Sequence, residues 1–213
     1  MSIQQHYDLP PFSAVEVSAG VEAQLGSGIQ QLVWAEAEDA EALDRLRLEV
    51  RGKTLHVSFR HGFLGFAFGG HKRLLVSIAA PVIERATASS GADVHLVGSP
   101  SPQLEVECSS GAQFLAESID VERLTARCSS GSKLTLSGTA MIAELASSSG
   151  SSLDADGLEA LRIDADSSSG SRISAAARDA ARVDASSGAS VELRGRPARV
   201  KQHSSSGGSI RFA

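Results

Sequence analysis

The stretch LEVECSSGAQFLAESIDVERLTARCSSGSKLTL, residues 104–136, contains the pattern that decides the fold. The tripeptide Ser-Ser-Gly occurs in it twice, ending at Gly111 and at Gly131, and apolar residues alternate with polar ones on both sides of each copy. Alternation with a period of two predicts β-strands, and a glycine between two strands predicts a corner with positive φ. Each copy therefore predicts a strand, a corner and a second strand.

The same tripeptide recurs through the rest of the chain at intervals of 18 to 20 residues. It ends at Gly91, Gly111, Gly131, Gly150, Gly170, Gly188 and Gly207. Three positions after these glycines stand only apolar residues: Val94, Phe114, Leu134, Leu153, Ile173, Val191 and Ile210. So short a unit cannot bury its apolar side alone, so the units must stack. The sequence predicts an all-β fold, a right-handed parallel β-helix (a solenoid) with coils of about 20 residues.

Residues 1–85 lack this period but alternate in the same way. Strands are predicted over residues 12–17, 21–25, 32–37, 46–50, 54–59 and 74–78, with a short helical turn at 39–43. A degenerate corner, Ser18-Ala19-Gly20, stands between the first two of these strands. We predict one solenoid domain over residues 1–213, in which an irregular N-terminal β section (1–85) forms the first coils and a cap, and residues 86–213 form the regular coils.

The composition excludes several classes of function. Twenty basic and 25 acidic residues give a net charge of −5, without the basic surplus that binds a phosphate backbone, so no nucleic-acid partner is expected. No run of about 18 apolar residues is present, so no transmembrane segment is expected. The first residues also lack the basic and then apolar pattern of a secretory signal peptide.

Acidic residues collect at the outward positions that precede the corners. Four of them should lie close together on one face of the solenoid: Glu144, Asp164, Asp166 and Asp184. Such carboxylates can act as general acid and base on a polysaccharide, or can hold Ca²⁺. They can equally form a solvated face with cross-coil ion pairs, such as Glu107–Arg127 and Asp166–Arg182. These alternatives stay open, and no other metal or cofactor is expected.

The position just before each Ser-Ser-Gly is always small and, by parity, points inward. Cys108 and Cys128 occupy this position in consecutive units, so they should be stacked neighbours. The expected spacing of their Cα atoms is compatible with a disulfide. Two buried free thiols, packed as small apolar groups, are the other interpretation.

Two features indicate contacts with other molecules. Phe63, Phe66 and Phe68 lie in a glycine-rich, almost uncharged segment. These rings are predicted to plug the open end of the solenoid, to contact another copy, or to bind an external partner or lipid. The last predicted strand, at residues 209–212, is followed by no sequence that predicts a cap, so its edge predicts a homo-oligomer.

The order of the N-terminal elements carries a family resemblance. Phe12-Ser-Ala-Val-Glu-Val-Ser-Ala-Gly20 is followed by Val21-Glu-Ala-Gln-Leu25, by Glu36-Ala-Glu-Asp39, and by Leu46-Arg-Leu-Glu-Val50. Gly52-Lys-Thr-Leu55 and Leu75-Val-Ser-Ile78, with Pro81, then lead into the repeats. Over residues 12–213 this order resembles the head GIN domain family of bacterial auto-transporter adhesins. The resemblance implies a β-helix-like fold and a secreted or cell-envelope location, from which the missing signal peptide departs; it supplies no catalytic residues.

Together these observations predict a non-enzymatic scaffold of the bacterial cell envelope or exterior, with an adhesive or other interaction role. A glycan or a surface protein is the expected partner. One alternative is a carbohydrate-active enzyme, a polysaccharide lyase or hydrolase that works on the face of Glu144, Asp164, Asp166 and Asp184. The other is a cytoplasmic scaffold that assembles with copies of itself.

Overall fold

A computed structural model describes residues 2–59, 74–98 and 101–213. It is a parallel β-solenoid of about six turns, as the repeat predicts. The described elements are β1 (Ile3–Tyr7), β2 (Ala14–Val17), β3 (Glu22–Ser27), β4 (Leu32–Ala37), α1 (Ala40–Arg45), β5 (Leu46–Arg51), β6 (Thr54–Phe59), β7 (Leu74–Ala80), β8 (Arg85–Ala88), β9 (Asp93–Val97), β10 (Gln103–Cys108), β11 (Gln113–Cys128), β12 (Lys133–Ser147), β13 (Ser152–Ser167), β14 (Arg172–Ala185), β15 (Ser190–Arg194), β16 (Arg199–Ser204) and β17 (Ser209–Phe212).

Each regular coil contributes one strand to each of two sheet faces that meet at the corner. The first face holds the strands before the corners, namely β6, β2, β8, β10, the second halves of β11 to β14, and β16. The second face holds the strands after them, namely β7, β3, β9, the first halves of β11 to β14, β15 and β17. Phe114 pairs with both Val94 and Leu134, so the register predicted from the glycines is confirmed.

The corners are tight turns in which two consecutive residues have positive φ. At one corner φ is 54° for Ser130 and 70° for Gly131, and the amide of Ser132 donates to the carbonyl of Ser129 over 3.3 Å. A Cβ built on Gly131 would meet nothing within 4 Å. Glycine is therefore needed here for its φ and not for a close approach. The prediction for glycine is confirmed, and the serine before it takes the same left-handed conformation.

The core is apolar, with a column of small polar groups beside the corners. Cys108 and Cys128 pair in register and are buried, as predicted. In later coils the inner hydroxyl of Ser151 lies 2.8 Å from the carbonyl of Cys128, and that of Ser171 lies 2.8 Å from the carbonyl of Ser147. Because these buried hydroxyls find carbonyl acceptors, they add little desolvation cost to the core.

The N-terminal elements lie in a different order in space from their order in the chain. β2 pairs with β8 on one side and with β6 on the other, so the coil of β6 and β7 lies outside the coil of β2 and β3. β5 then pairs antiparallel with β6, and β4 pairs antiparallel with β7. α1 joins β4 to β5, and β1 adds to β4, again antiparallel. The sequence analysis predicted neither β1 nor this exchange of order.

The opposite end is formed by β16 and β17 alone. Each pairs in parallel with the coil beneath it, β16 with β14 and β17 with β15. Every residue of β16 is exposed. This end of the solenoid therefore keeps the parallel pattern up to its last strands.

Candidate functional site

An open groove of about 520 Å³ runs along the first face, beside the corners, and crosses several coils. Its lining is the outward column that precedes the corners, together with the corner serines and the small buried residues between them. The lining residues are Glu107, Cys108, Ser109, Arg127, Cys128, Ser129, Ala146, Ser147, Ser148, Asp166, Ser167, Ser168, Asp184 and Ser186.

The groove follows a column of residues that the parallel register aligns. Glu107 pairs with Arg127, Arg127 with Ala146, Ala146 with Asp166, and Asp166 with Asp184. Because equivalent residues repeat at the strand spacing of about 4.8 Å, this column is a straight row along the solenoid axis. Ala146 is the smallest side chain in it, and it leaves room between the long side chain of Arg127 and the carboxylate of Asp166.

One wall of the groove is a row of corner serines that are half-buried. They are the first serines of successive corners: Ser109, Ser129, Ser148, Ser168 and Ser186. Within the described ranges, no side-chain hydrogen bond engages any of their Oγ atoms. A hydroxyl can both donate and accept, so this row offers one available polar group per coil to a ligand.

Asp166 is the one carboxylate of the groove that the described residues leave without an ion pair or a hydrogen bond. Arg182 binds its two neighbours instead, with distances of 3.2 Å to Asp164 Oδ2 and 2.7 Å to Asp184 Oδ2. Partial burial raises the pKa of Asp166, and the carboxylates of Asp164 and Asp184 raise it further, whereas Arg182 lowers it. The predicted pair Asp166–Arg182 is therefore wrong, because the guanidinium is already shared by the flanking carboxylates.

The other predicted acidic residues lie on the same face but outside the groove. Glu144 and Asp164 pair in register, one column away from Asp166. Glu144 accepts from Arg123 at 2.7 Å. Arg127 lies 3.5 Å from Glu107, as predicted, and 2.6 Å from Glu105. In the part of the chain that the structure describes, no group of three or more His, Cys, Asp or Glu is placed to hold a metal ion.

The two cysteines lie beneath the floor of the groove as free thiols. The Sγ of Cys108 donates to the carbonyl of Ala112 at 3.3 Å, and the Sγ of Cys128 contacts the hydroxyl of Ser132 at 3.2 Å. The hydrogen bond shared with Cys128 raises the pKa of the Cys108 thiol, and burial adds to the rise. Cys108 is therefore held as a protonated, shielded thiol, whereas the same hydrogen bond lowers the pKa of Cys128. A disulfide between the two cysteines stays a prediction.

A smaller groove of about 230 Å³ lies nearer the N-terminal end of the same face. Its charged residues bind one another: Glu49 lies 2.8 Å from Arg47 and 2.9 Å from Arg51, and His56 lies 3.1 Å from Glu16. Side chains that already form pairs have little left to offer a ligand. The larger groove is therefore the better candidate.

Some sequence predictions are not addressed by this geometry. Phe63, Phe66 and Phe68 lie outside the described residues, so their role stays a prediction. None of the described helices is long and apolar enough to cross a membrane. The serine row was the main omission of the sequence analysis, which used each Ser-Ser-Gly to place a corner and gave its serines no binding role. The signal was present in the sequence, because each tripeptide carries two serines. Of these two, only the second has positive φ, so the backbone of the turn does not explain the first.

A protein-family model and several solved structures match this chain. A family model described as "putative auto-transporter adhesin, head GIN domain" matches residues 11–197. A putative adhesin from Bacteroides fragilis has a similar structure, with a TM-score of 0.89 and 18% identity over 100% of this chain and 97% of that chain. A putative adhesin from Parabacteroides distasonis has a TM-score of 0.75 and 13% identity, over 100% of this chain and 97% of that chain. A putative lipid binding protein from the same species has a TM-score of 0.74 and 13% identity, over 100% of this chain and 96% of that chain.

At these identities the structural likeness shows a shared fold alone, and no curated protein matches the sequence. The family model, by contrast, matches the sequence itself over most of its length, from the first coils to the C-terminal side of β15. The chain belongs to the head GIN domain family of putative auto-transporter adhesins.

Proposed function

We propose that this chain is a rigid, non-enzymatic scaffold of the cell surface or exterior, and that its adhesive ligand is a linear glycan bound along the larger groove. The observation that carries the proposal is the row of five corner serines, beside the carboxylate of Asp166, none of which has a side-chain partner among the described residues. A repeating ligand can meet one such group per coil. The names of the family and of its structural relatives, as adhesins, support an adhesive role and a surface location.

The chemistry of the groove favours a ligand that is rich in hydroxyl groups. Carboxylate oxygens accept hydrogen bonds from sugar hydroxyls, and serine hydroxyls can serve as donor or acceptor. Arg127 contributes a cation at one side of Ala146, although Glu105 and Glu107 already engage it. A neutral or weakly charged glycan fits this mixture better than a strongly anionic polymer.

The test is binding to a glycan array, with and without calcium, by the natural chain and two matched variants. Ala146→Arg places a long side chain in the middle of the groove. Thr125→Arg places the same side chain in the neighbouring outward column, outside the groove lining. We expect a specific glycan to bind, and Ala146→Arg to weaken its binding by about tenfold or more while Thr125→Arg does not. No glycan binding, or equal effects of both variants, would contradict the proposal.

The enzymatic alternative has one feature in its favour, the raised pKa of Asp166, which suits a general acid. Glycoside hydrolysis ordinarily needs a second carboxylate, and the nearest ones, Asp164 and Asp184, are both bound by Arg182. Neither the family description nor the three structural relatives named above carry an enzyme's name. Release of reducing ends from a bound glycan, abolished by Asp166→Asn, would replace the scaffold proposal with the enzymatic one.

A further inference from the structure

Exposed apolar side chains collect at one edge of the second face, in the N-terminal part of the solenoid. Nine large apolar side chains of the described residues are exposed, and four of them belong to this apolar edge. Ile29 is 99% exposed, Leu32 52%, Val97 46% and Val82 40%. A cluster of apolar side chains on a protein surface marks a site of interaction with another molecule or with a membrane.

Strand pairing brings the members of the apolar edge together. β7 pairs with β4 on one side and with β3 on the other, and β3 pairs in turn with β9, where Gly26 lies opposite Val97. The turn at residues 28–31 joins β3 to β4 across the end of β7, and the amide of Gly28 donates to the carbonyl of Ala80 over 3.0 Å. Four neighbouring strands give the edge a width of roughly 15 Å.

The turn that carries Ile29 is held in place by the side chain of Gln31. Its Nε2 donates to the carbonyl of Leu9 at 3.0 Å and to that of Pro10 at 3.1 Å, and its Oε1 accepts from the amide of Phe12 at 3.2 Å. The exposed prolines of the Leu-Pro-Pro-Phe segment therefore lie beside the turn. Because the turn is already fixed, little conformational entropy is lost when its apolar tip is buried.

The chain segments that meet at the apolar edge contain no charged residue. These segments are residues 9–12, 23–35, 74–83 and 96–98. Charged residues stand only around them, namely Asp8, Glu84 and Glu117 at the ends of the neighbouring segments. Of these, Glu84 accepts from the hydroxyl of Ser13 at 3.0 Å, and Glu117 lies 2.8 Å from His95. The edge is therefore an uncharged apolar surface with a charged rim.

We propose that the apolar edge inserts into the surface layer of a lipid bilayer and holds the chain on a membrane. Charged side chains are costly to move into a bilayer, whereas Ile, Leu and Val are favoured there, and the edge combines these three with an absence of charge. A protein partner would need a pocket shaped to receive Ile29. Fluid acyl chains surround a protruding side chain without such a pocket, so a bilayer fits this edge better.

The insertion is shallow and leaves the rest of the chain free. A turn with exposed backbone groups is excluded from hydrocarbon, so the backbone stays at the level of the lipid headgroups and only the apolar side chains reach the acyl chains. A few partly exposed side chains give weak, reversible binding, as a single acyl chain does. The larger groove shares no residue with the edge, so this inference does not depend on glycan binding.

The test is co-sedimentation of the purified chain with vesicles of phosphatidylcholine alone, at high lipid concentration and at low and high salt. We expect reversible binding that high salt does not weaken, because salt screens charges and the edge has none. Ile29→Asp should weaken binding by about tenfold or more. The matched control is Met141→Asp, at another exposed apolar side chain, and should bind as the natural chain does. No binding, or equal effects of the two variants, would overturn the proposal.

A tryptophan at the same two positions distinguishes insertion from adsorption. Vesicles with brominated acyl chains should quench the added fluorescence of Ile29→Trp but not that of Met141→Trp, after subtraction of the signal of Trp34, which is the only tryptophan of the natural chain. Binding without quenching at position 29 would overturn the proposal. Binding that needs anionic lipid and disappears at high salt would also overturn it, because a charged surface would then make the contact.

Discussion

The two ends of the solenoid solve the problem of an exposed strand edge in different ways. At the N-terminal end the chain reverses direction: β4 and β5 run antiparallel to the coil beneath them, and Leu43 on α1 is buried against the core. At the C-terminal end β16 and β17 continue the parallel pattern, and Phe212 remains 49% exposed. Within the described residues, antiparallel strands and a helix close the first end, whereas the second keeps the strand direction of the regular coils.

The difference shows that capping this fold needs sequence that breaks its repeat. A regular coil always leaves an edge that fits a further coil, so the repeat by itself cannot end the stack. In the cap, a helix in place of the Ser-Ser-Gly corner joins strands that run in the reverse direction. The predictions below compare how much each end contributes to stability, starting with the largest expected effect.

Truncation of one apolar side chain at each end should give the largest difference in the free energy of unfolding between the two ends. Leu43→Ala should lower the free energy of unfolding by about 2–4 kcal/mol, because it opens a cavity between the cap and the core. Phe212→Ala should lower it by about 1 kcal/mol or less, since half of that ring is already in water. The measurement is chemical denaturation of the natural chain and both variants in the same buffer and at the same protein concentration.

A similar loss for the two variants would mean that the ends are equally well packed and that the comparison is wrong. Ile29→Ala serves as the control, because that side chain is 99% exposed and its removal should change the unfolding free energy little.

The sequence was sufficient to predict the regular coils residue by residue. The columns that precede and follow the corners pair as expected, for example Leu124 with Leu104 and Ala143. This works because a glycine corner recurs in each turn and fixes which residues stack. The N-terminal order could not be predicted in the same way, because without the corner signal nothing in the strand at 54–59 states that it lies outside β2. β1 was missed because its sequence, IQQHY, lacks a clear apolar alternation.

The candidate site was predicted only in part, for a physical reason. Register placed Asp166 and Asp184 in one column, but the choice among ion-pair partners depends on side-chain reach. Arg182 binds Asp164 and Asp184 and leaves Asp166 unpaired, which no pairing rule for neighbouring strands decides. The groove itself depends on the small side chain of Ala146 between longer neighbours, a contrast that is visible only once the column is aligned.

Corner substitutions should show a second, smaller difference between the interior and the open end. Gly170 has a φ of 70°, so Gly170→Ala should cost about 1–2 kcal/mol of stability even though its Cβ would meet nothing within 4 Å. Gly207→Ala at the last corner has the same backbone strain, with a φ of 78°, but should cost less because an end coil can open locally without unfolding the rest. Thermal and chemical denaturation would measure both.

Gly26→Ala is the control for these corner variants. Gly26 has no positive φ, and its added Cβ would lie 3.8 Å from the carbonyl oxygen of Val97, an ordinary contact. If it destabilises the fold as much as Gly170→Ala does, backbone strain at the corner is not the cause.

Loss of the helix cap should test whether α1 closes its end of the solenoid. The amide of Ala42 donates to Asp39 Oδ1 at 2.8 Å. Asp39→Ala should lower the free energy of unfolding by about 1 kcal/mol and should increase hydrogen exchange in β4 and β5 before it changes exchange in the middle coils. Glu38→Ala, next to it and exposed, is the matched control. Unchanged exchange at β4 and β5 would show that the cap does not depend on α1.

The smallest expected effect is a pH dependence confined to the closed end. Burial raises the pKa of Tyr7 above its ordinary value of 10.0, and the carboxylate of Asp44 raises it further. The folded chain therefore holds the phenol proton more tightly than the unfolded chain does. Its contribution to stability is complete below the ordinary pKa and is lost as the pH rises through the raised one.

Tyr7→Phe should remove this dependence, because phenylalanine has no proton to lose. We expect the stability difference between the natural chain and Tyr7→Phe to be constant below about pH 9 and to shift in favour of the variant at more alkaline pH. Asp44→Asn should reduce the alkaline loss without abolishing it, since burial is the larger cause. The chain contains no other tyrosine, so an equal alkaline loss in Tyr7→Phe would show that a group other than a phenol causes it.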